Sequence, residues 1–153
     1  MWKLNRLVIS GALAAIGLAI PASTPASAAP GSCYAQNAAV TDDWGRTFST
    51  RYVCPTWTGA ALESTPYDVH MPFDDSGYMY AASQVWVICQ RQGGPNQSLG
   101  GYQNNWWLYT QGDQARANTW GYRNAWGHLP ATAVSYGQNW QPIPGVPYCP
   151  KWY

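Results

Sequence analysis

Three short apolar blocks, separated by connections rich in glycine and asparagine, constrain this fold more than any other feature of the sequence. They lie at 85–89, 106–109 and 126–129. Each block is rich in the β-branched and aromatic residues that favour strands. No stretch after residue 28 repeats its apolar residues with the 3.6-residue period of a helix. The sequence therefore predicts a nearly all-β domain, in which these blocks are consecutive strands of a small barrel.

The first 28 residues have the pattern of a secretory signal peptide. Lys3 and Arg6 precede an apolar run at 7–20, and Ala26-Ser27-Ala28 supplies the small residues of a cleavage site. The apolar run is shorter than the roughly 20 residues that a membrane-spanning helix needs. We therefore expect residues 1–28 to be removed, and the remaining chain to be exported without a membrane anchor.

The chain that remains, residues 29–153, has the length of one domain. It carries six basic and seven acidic residues, so its net charge is about −1. Such a balance offers no basic patch to hold nucleic acid by its phosphates. We expect a monomer that binds neither nucleic acid nor membrane.

Four cysteines lie in the exported part of the chain. An even number in an exported domain indicates two disulfides, for which three pairings are possible. We favour Cys33 with Cys54, which would close a short hairpin, and Cys89 with Cys149, which would tie a barrel strand to the C-terminal tail. The crossed pairings remain open at this point.

Aromatic residues outnumber aliphatic ones after residue 28, with 22 Trp, Tyr and Phe against 15 Ile, Leu, Val and Met. This inverts the usual proportion. The core must therefore be built largely from aromatic rings, each of which buries a large area and, in Trp and Tyr, keeps a polar group that needs a partner. A single exposed ring is accordingly weak evidence for a binding site.

Two segments carry a resemblance to a known fold. They are Asn104-Asn105-Trp106-Trp107-Leu108-Tyr109 and Trp126-Gly127-His128-Leu129-Pro130-Ala131. They resemble the Trp-Trp strand of SH3 folds and the later strand that ends at a proline, before one turn of 3₁₀ helix. With the export signal and the disulfides, the chain looks most like the bacterial SH3-like domains of secreted actinobacterial proteins, over roughly residues 58–136.

The residues predict an all-β fold, and with the resemblance they divide it into three parts. Residues 29–57 would form an N-terminal disulfide-closed hairpin or arm, and residues 58–136 the small SH3-like β-barrel. We expect the barrel to begin with an irregular connection at 58–75, to have one central strand at 85–89 and to return in a strand at 122–129. Residues 137–153 are rich in proline and are expected to form an extended tail packed on the barrel.

The resemblance also implies a function, because bacterial relatives of this fold commonly bind cell-wall peptidoglycan. Trp106 matches the Trp at the edge of the SH3 ligand groove, and Trp126 could lie beside it as a cross-strand aromatic pair. Tyr102 and Tyr136 could form the rim of the same surface. These four residues are the predicted ligand site, for peptidoglycan or a peptide such as its stem peptide.

The proline tail adds a hypothesis about that site. Pro144-Gly145-Val146-Pro147 has the spacing of a ligand for an aromatic groove. Because Cys149 would tether the tail to the barrel, the tail could occupy the groove of its own domain.

Catalytic chemistry has little support in the residues. Oxidised cysteines leave no thiolate nucleophile, and His70 and His128 lack the flanking ligands of a zinc site. The aspartates at 42–43 and 74–75 read as turn residues rather than as an acid/base pair. The sequence therefore predicts a secreted binding module with no enzyme activity, cofactor or metal. The alternatives are a secreted protein-interaction or inhibitor domain and a small secreted hydrolase.

Overall fold

The computed structural model describes residues 32–66, 74–81 and 84–151. The predicted signal peptide and His70 lie outside these ranges. The described residues form strands and loops, and the predicted all-β class is confirmed. Within these ranges, no helix is long and apolar enough to cross a membrane.

The strands are short, as is usual when the connections are rich in glycine and proline. In chain order they are β1 (Tyr34–Gln36), β2 (Val40–Thr41), β3 (Thr47–Phe48), β4 (Arg51–Pro55), β5 (Ala60–Glu63), β6 (Asp75–Met79), β7 (Gln84–Val87), β8 (Cys89–Gln92), β9 (Trp106–Gln111), β10 (Gln114–Ala115) and β11 (Trp126–Pro130). A 3₁₀ turn at Ala131–Ala133 follows β11. The strand that ends at Pro130 and gives way to 3₁₀ helix is therefore confirmed.

The strands pair in three antiparallel sheets. The largest has the order β10-β6-β5-β11-β9-β8, the second has the order β1-β4-β7, and β2 pairs with β3. In the largest sheet β10 and β8 are the two edges, so the described strands do not close into the barrel that the sequence predicts.

The apolar block at 85–89 joins two of these sheets. β7 pairs with β4, whereas β8 pairs with β9. Between them the Ile88 N–H donates to the Tyr109 carbonyl oxygen at 2.8 Å. The prediction of one continuous central strand is therefore wrong: the chain changes sheets at Ile88. The segment is buried on both faces, as predicted, because the consecutive side chains of Val87, Ile88 and Cys89 are all buried.

Two further strand predictions are corrected by long-range pairing and backbone geometry. The segment predicted as an irregular connection contains β5, which pairs with β6 on one side and β11 on the other. Its two alanines give a weak strand signal, so its place is set by these neighbours. The predicted strand at 122–129 begins only at Trp126, because Asn124 and Ala125 have φ values of 50° and 62° that a strand does not allow.

Residues 33–54 form an arm that folds over the main sheet. In this N-terminal arm β1 pairs with β4, and β2 pairs with β3 nearer the tip. Val40 and Phe48 from the tip pack against a cluster that contains Tyr109 and Trp126. The arm therefore creates a second core, separate from the larger one around Leu62, Leu108 and Leu129.

Both predicted disulfides are confirmed. Cys33 bonds to Cys54 across the arm, and Cys89 bonds to Cys149, 60 residues away. The second bond holds the C-terminal tail beside β8, where Ile143 and Val146 are buried. The Cys33 N–H also donates to the Pro144 carbonyl oxygen at 3.2 Å, so the arm and the tail are in contact.

Candidate functional site

The two tryptophans of the predicted site do not lie together. In the β9–β11 register Trp126 stands opposite Gln111, whereas Trp106 is at the other end of β9. Five residues along a strand separate the two positions by about 17 Å. Their odd spacing also places them on opposite faces. The predicted cross-strand pair is therefore wrong.

Trp126 is a core residue in this structure. Its side chain is only 2% exposed. It stacks on Tyr109, with ring centroids 5.1 Å apart, and meets Trp86 edge-on at 5.6 Å. The prediction that Trp126 contributes to an open surface does not fit this burial, since the N-terminal arm covers the face of the sheet on which Trp126 lies.

Trp106 is half-buried and is covered by the tail. Its ring is stacked on that of Tyr148, with centroids 5.3 Å apart and 25° between the planes. The tail hypothesis placed the prolines of 144–147 on the aromatic groove, but the ring that contacts Trp106 belongs to Tyr148. The face of Trp106 that the sequence assigns to a ligand thus already has an aromatic partner from the same chain.

Tyr102 and Tyr136 are brought together. Both are about half exposed, at 54% and 50%, and both line an open groove of about 490 Å³. We call it the tyrosine groove. Its other lining residues are Ser135, Gly137, Gln138, Gln141, Pro142 and Pro144.

A tight turn positions Tyr102. Gly100 and Gly101 have φ values of 56° and 84°, a region that glycine enters without steric cost. The Tyr102 N–H closes the turn by donating to the Leu99 carbonyl oxygen at 2.9 Å. Trp57 lies against Gly100 and packs on Tyr102 at 5.9 Å between ring centroids. The glycine pair is the sequence signal that points to this geometry.

Side-chain amides join the two loops of the groove. Asn104 is 4% exposed, and its Nδ2 donates to the carbonyl oxygens of Gln138 and Gln141 at 3.4 and 3.1 Å. Asn139 Oδ1 accepts from the Gln103 N–H at 3.1 Å. The groove is therefore assembled before any ligand arrives, which reduces the entropy lost on binding.

The chemistry of the tyrosine groove is uncharged. Its lining residues carry hydroxyl, amide and aromatic groups, and none is Asp, Glu, His, Cys, Lys or Arg. Such a surface can pack an aromatic face against an apolar ligand face, and can exchange hydrogen bonds through Gln138 and Gln141. It suits a neutral polar ligand rather than a phosphate.

The groups with the largest pKa shifts lie elsewhere and are buried. Burial, followed by the negative charges of Asp75 and Asp74, raises the pKa of Glu63 to about 7. Burial also lowers the pKa of His128 to about 4. Glu63 and His128 are each 3% exposed, and all four cysteines are in disulfides. Glu63 is placed in the core, whereas the buried His128 borders a separate concavity that Trp44, Trp120 and Tyr122 also line.

Comparisons of this chain with known proteins identified no relative. No protein-family model, curated protein or solved structure matches the chain. Among the residues with described positions, no group of three or more His, Cys, Asp or Glu side chains could hold a metal ion.

Proposed function

We propose that this protein is an exported, non-enzymatic binding module that recognises cell-wall peptidoglycan or its stem peptide through the tyrosine groove. The observation that carries the proposal is the convergence of Tyr102 and Tyr136 on one uncharged, amide-bearing groove. Tyrosine rings can pack on the apolar face of an N-acetylated sugar. Gln138 and Gln141 can bond to its acetamido group or to a peptide backbone.

Export and an SH3-like relationship are parts of the same proposal. Two disulfides are typical of exported proteins, and they add to the signal-like sequence at 1–28. The SH3-like assignment is supported by the antiparallel pairing of β9 with β11, and by the 3₁₀ turn that follows Pro130. The proposed binding role follows from the hydroxyl, amide and aromatic groups that line the groove, which suit recognition of a neutral polar ligand.

Sedimentation with purified sacculi tests this function. We expect the protein beginning at residue 29 to pellet with sacculi, and Tyr136→Ala and Tyr102→Ala to weaken binding at least about tenfold, as is usual for central tyrosines of an interface. Tyr80→Ala is the matched control. Tyr80 is 53% exposed but bonds to Gln114 at 3.2 Å and does not line the groove.

Two outcomes would reject wall binding through this groove. One is negligible pelleting of the unsubstituted protein, and the other is equal pelleting of all four proteins. Sacculi stripped of stem peptides by an amidase then separate the two ligands: retained binding identifies the glycan, and lost binding identifies the peptide. Saturable binding to another protein without wall binding would favour the interaction or inhibitor alternative.

A further inference from the structure

A small cavity, of about 20 Å³, adjoins the tyrosine groove. We call it the side cavity. Its volume is about the space that one water molecule fills, and a methyl group is of similar size. Four of its lining residues also line the groove, namely Tyr102, Ser135, Gly137 and Gln138. A ligand that lies in the groove can therefore place one short substituent in the side cavity.

The side cavity has a buried floor, which includes Ala131, Thr132 and Val134. These residues are 3%, 3% and 6% exposed, and the 3₁₀ turn after Pro130 brings them together. The Thr132 hydroxyl already donates to the Gln97 carbonyl oxygen at 3.0 Å. The methyl groups of the alanine and the valine therefore remain as the surface that a substituent contacts, and they suit an apolar end group.

The rim of the side cavity carries hydrogen-bonding groups on the exposed residues Ser135, Gln138 and Asn139. Asn139 Oδ1 accepts from the Gln103 N–H at 3.1 Å, which leaves the N–H groups of Asn139 Nδ2 as donors. The Ser135 hydroxyl and the side-chain amide of Gln138 can each donate and accept. Neither of them forms a hydrogen bond with the residues that the structure describes. The rim therefore suits an amide, which has one donor and one acceptor.

Hydrogen bonds in both directions hold together the two loops that form the rim. The Gln103 N–H donates to Asn139, and the Gln103 carbonyl oxygen accepts from the Trp140 N–H at 3.1 Å. Trp140 has a φ of 63°, in a region that a bulky side chain rarely occupies. Such conformations persist only where the surrounding contacts enforce them, and they occur often at ligand clamps. The rim is therefore fixed before a ligand arrives.

An acetamido group matches both the floor and the rim. It ends in one methyl group, and behind the methyl it carries one carbonyl oxygen and one N–H. Among the described residues that line the side cavity and the tyrosine groove, none is charged. The carboxylates of a stem peptide would find no cation on this surface. The lining therefore favours the N-acetylated glycan over the peptide.

We propose that the side cavity binds the acetamido group of an N-acetylhexosamine whose pyranose ring packs on Tyr102. Tyr102 lines both the groove and the side cavity, so one sugar residue can occupy both. The inference rests on the proposed function and deepens it, because it assigns the tyrosine groove to the glycan strand of the cell wall. The side cavity then selects for acetyl groups against longer acyl groups.

Calorimetric titration of the unsubstituted protein with N-acetylated chitotetraose tests this site. We expect saturable binding, and at least about tenfold weaker binding of cellotetraose, which has a hydroxyl in place of each acetamido group. The N-propionyl analogue of chitotetraose has one more methylene in each acyl group. It should also bind at least about tenfold more weakly, because the side cavity holds one methyl-sized group.

Val134→Ala enlarges the floor and should reduce the preference for acetyl over propionyl about tenfold. Val53→Ala is the matched control, since Val53 is buried to a similar degree, at 7% exposed, and does not line the side cavity. This control should keep the preference of the unsubstituted protein. Both affinities are measured on one preparation, so a partly unfolded variant does not change their ratio.

Three results with the unsubstituted protein would overturn the proposal. They are no saturation at about 10 mM chitotetraose (roughly a Kd above the millimolar range), equal affinity for chitotetraose and cellotetraose, and equal affinity for the acetyl and propionyl tetramers. An unchanged acyl preference in a folded Val134→Ala variant would also overturn it.

Sacculus sedimentation separates a failure of this inference from a failure of the proposed function. If chitotetraose does not bind but sacculi pellet the unsubstituted protein and not Tyr136→Ala, the acetamido site is rejected and wall binding stands, with the stem peptide as its ligand. If neither chitotetraose nor sacculi bind, both are rejected. Selective binding of chitotetraose without pelleting would support the acetamido site and reject wall binding alone.

Discussion

The side-chain amide of Gln90 forms two reciprocal hydrogen bonds with the backbone of Ile143. The Ile143 N–H donates to Gln90 Oε1 at 2.7 Å, and Gln90 Nε2 donates to the Ile143 carbonyl oxygen at 2.9 Å. Gln90 Nε2 also donates to the Val146 carbonyl oxygen at 2.7 Å. Because Gln90 is only 1% exposed, its amide supplies buried hydrogen-bond partners to the tail at Ile143 and Val146. The backbone of Gln90 pairs with the tail further on, at Tyr148.

We expect Gln90→Leu to lower the free energy of unfolding by about 2 kcal/mol or more. The substitution keeps a similar volume but leaves the Ile143 N–H and the Val146 carbonyl oxygen without the partner that Gln90 supplies, each at a cost of about 1–3 kcal/mol. The Ile143 carbonyl oxygen still accepts from the Val146 N–H at 3.4 Å. Urea denaturation measures the loss. Gln92→Leu, on the exposed end of the same strand, should stay within about 0.5 kcal/mol of the unsubstituted protein. Equal stability of the two variants would show that Gln90 does not anchor the tail.

Removal of each disulfide should destabilise the fold, and removal of the bond that closes the longer loop should cost more. The Cys33–Cys54 and Cys89–Cys149 bonds span 21 and 60 residues, so loop closure gives about 3 and 4 kcal/mol respectively. We expect the paired alanine variant of Cys89 and Cys149 to lose more stability in guanidinium and also to become sensitive to protease in the tail. A stable, protease-resistant tail in that variant would contradict the prediction.

The parts of the fold that could be predicted depend on local chemistry. Pro130 lacks an N–H and ends its strand, and the cysteines are spaced so that hairpin and tail closure are reasonable pairings. β5 was missed because four residues with two alanines carry little propensity of their own. The change of sheet at Ile88 also leaves no local signal, since it depends on β4 and β9 pairing with the same stretch of chain.

In the candidate site, too, the features set by local sequence could be predicted, and those set by distant segments could not. Tyr102 and Tyr136 are predicted as rim residues of a ligand surface, and the structure places both in the tyrosine groove. Trp126 was misplaced because the face on which it lies is covered by Val40 and Phe48 from the arm, and periodicity along a strand cannot show which distant segment packs on it. The concavity lined by Trp44, Trp120 and Tyr122 was missed for a similar reason, since its walls come from segments far apart in sequence.

The pKa shifts of Glu63 and His128 have opposite effects on stability as pH changes. The pKa of Glu63 is about 7 in the folded protein, against an unperturbed value of 4.5. The folded state therefore keeps this proton to higher pH than the unfolded state does, and stability falls as pH rises from 4.5 to 7. The pKa of His128 is about 4 in the folded protein, against an unperturbed value of 6.5. As pH drops from 6.5 to 4, the unfolded state therefore binds this proton before the folded state does, and stability falls. Between about 4.5 and 6.5 the two effects oppose each other.

Single variants should reveal each effect separately. Relative to the unsubstituted protein at the same pH, Glu63→Gln should gain on the order of 3 kcal/mol as pH rises from 4.5 to 7, because it lacks the penalty for ionising Glu63. His128→Gln should gain a similar amount as pH falls from 6.5 to 4. Denaturation curves at half-unit pH intervals measure both differences. Parallel pH profiles in all three proteins would show that neither group titrates differently in the fold.

Gly100 and Gly101 provide a matched test of how the tyrosine groove is built. Both have positive φ, so alanine at either position costs about 1–2 kcal/mol of backbone energy. A Cβ on Gly101 would meet no heavy atom within 4 Å, whereas a Cβ on Gly100 would lie 2.7 Å from Cη2 of Trp57. Because the indole N–H of Trp57 donates to the Thr132 carbonyl oxygen at 2.9 Å, the ring cannot move aside freely.

We therefore expect Gly100→Ala to lose about 1–3 kcal/mol more stability than Gly101→Ala, the usual cost of overpacking. It should also weaken sacculus binding, since the displaced Trp57 ring packs on Tyr102, while Gly101→Ala should bind nearly as the unsubstituted protein does. Urea denaturation and sedimentation on the same preparations measure both effects. If the two variants lose equal stability and equal binding, the contact between Gly100 and Trp57 does not position Tyr102, and backbone strain alone accounts for the turn.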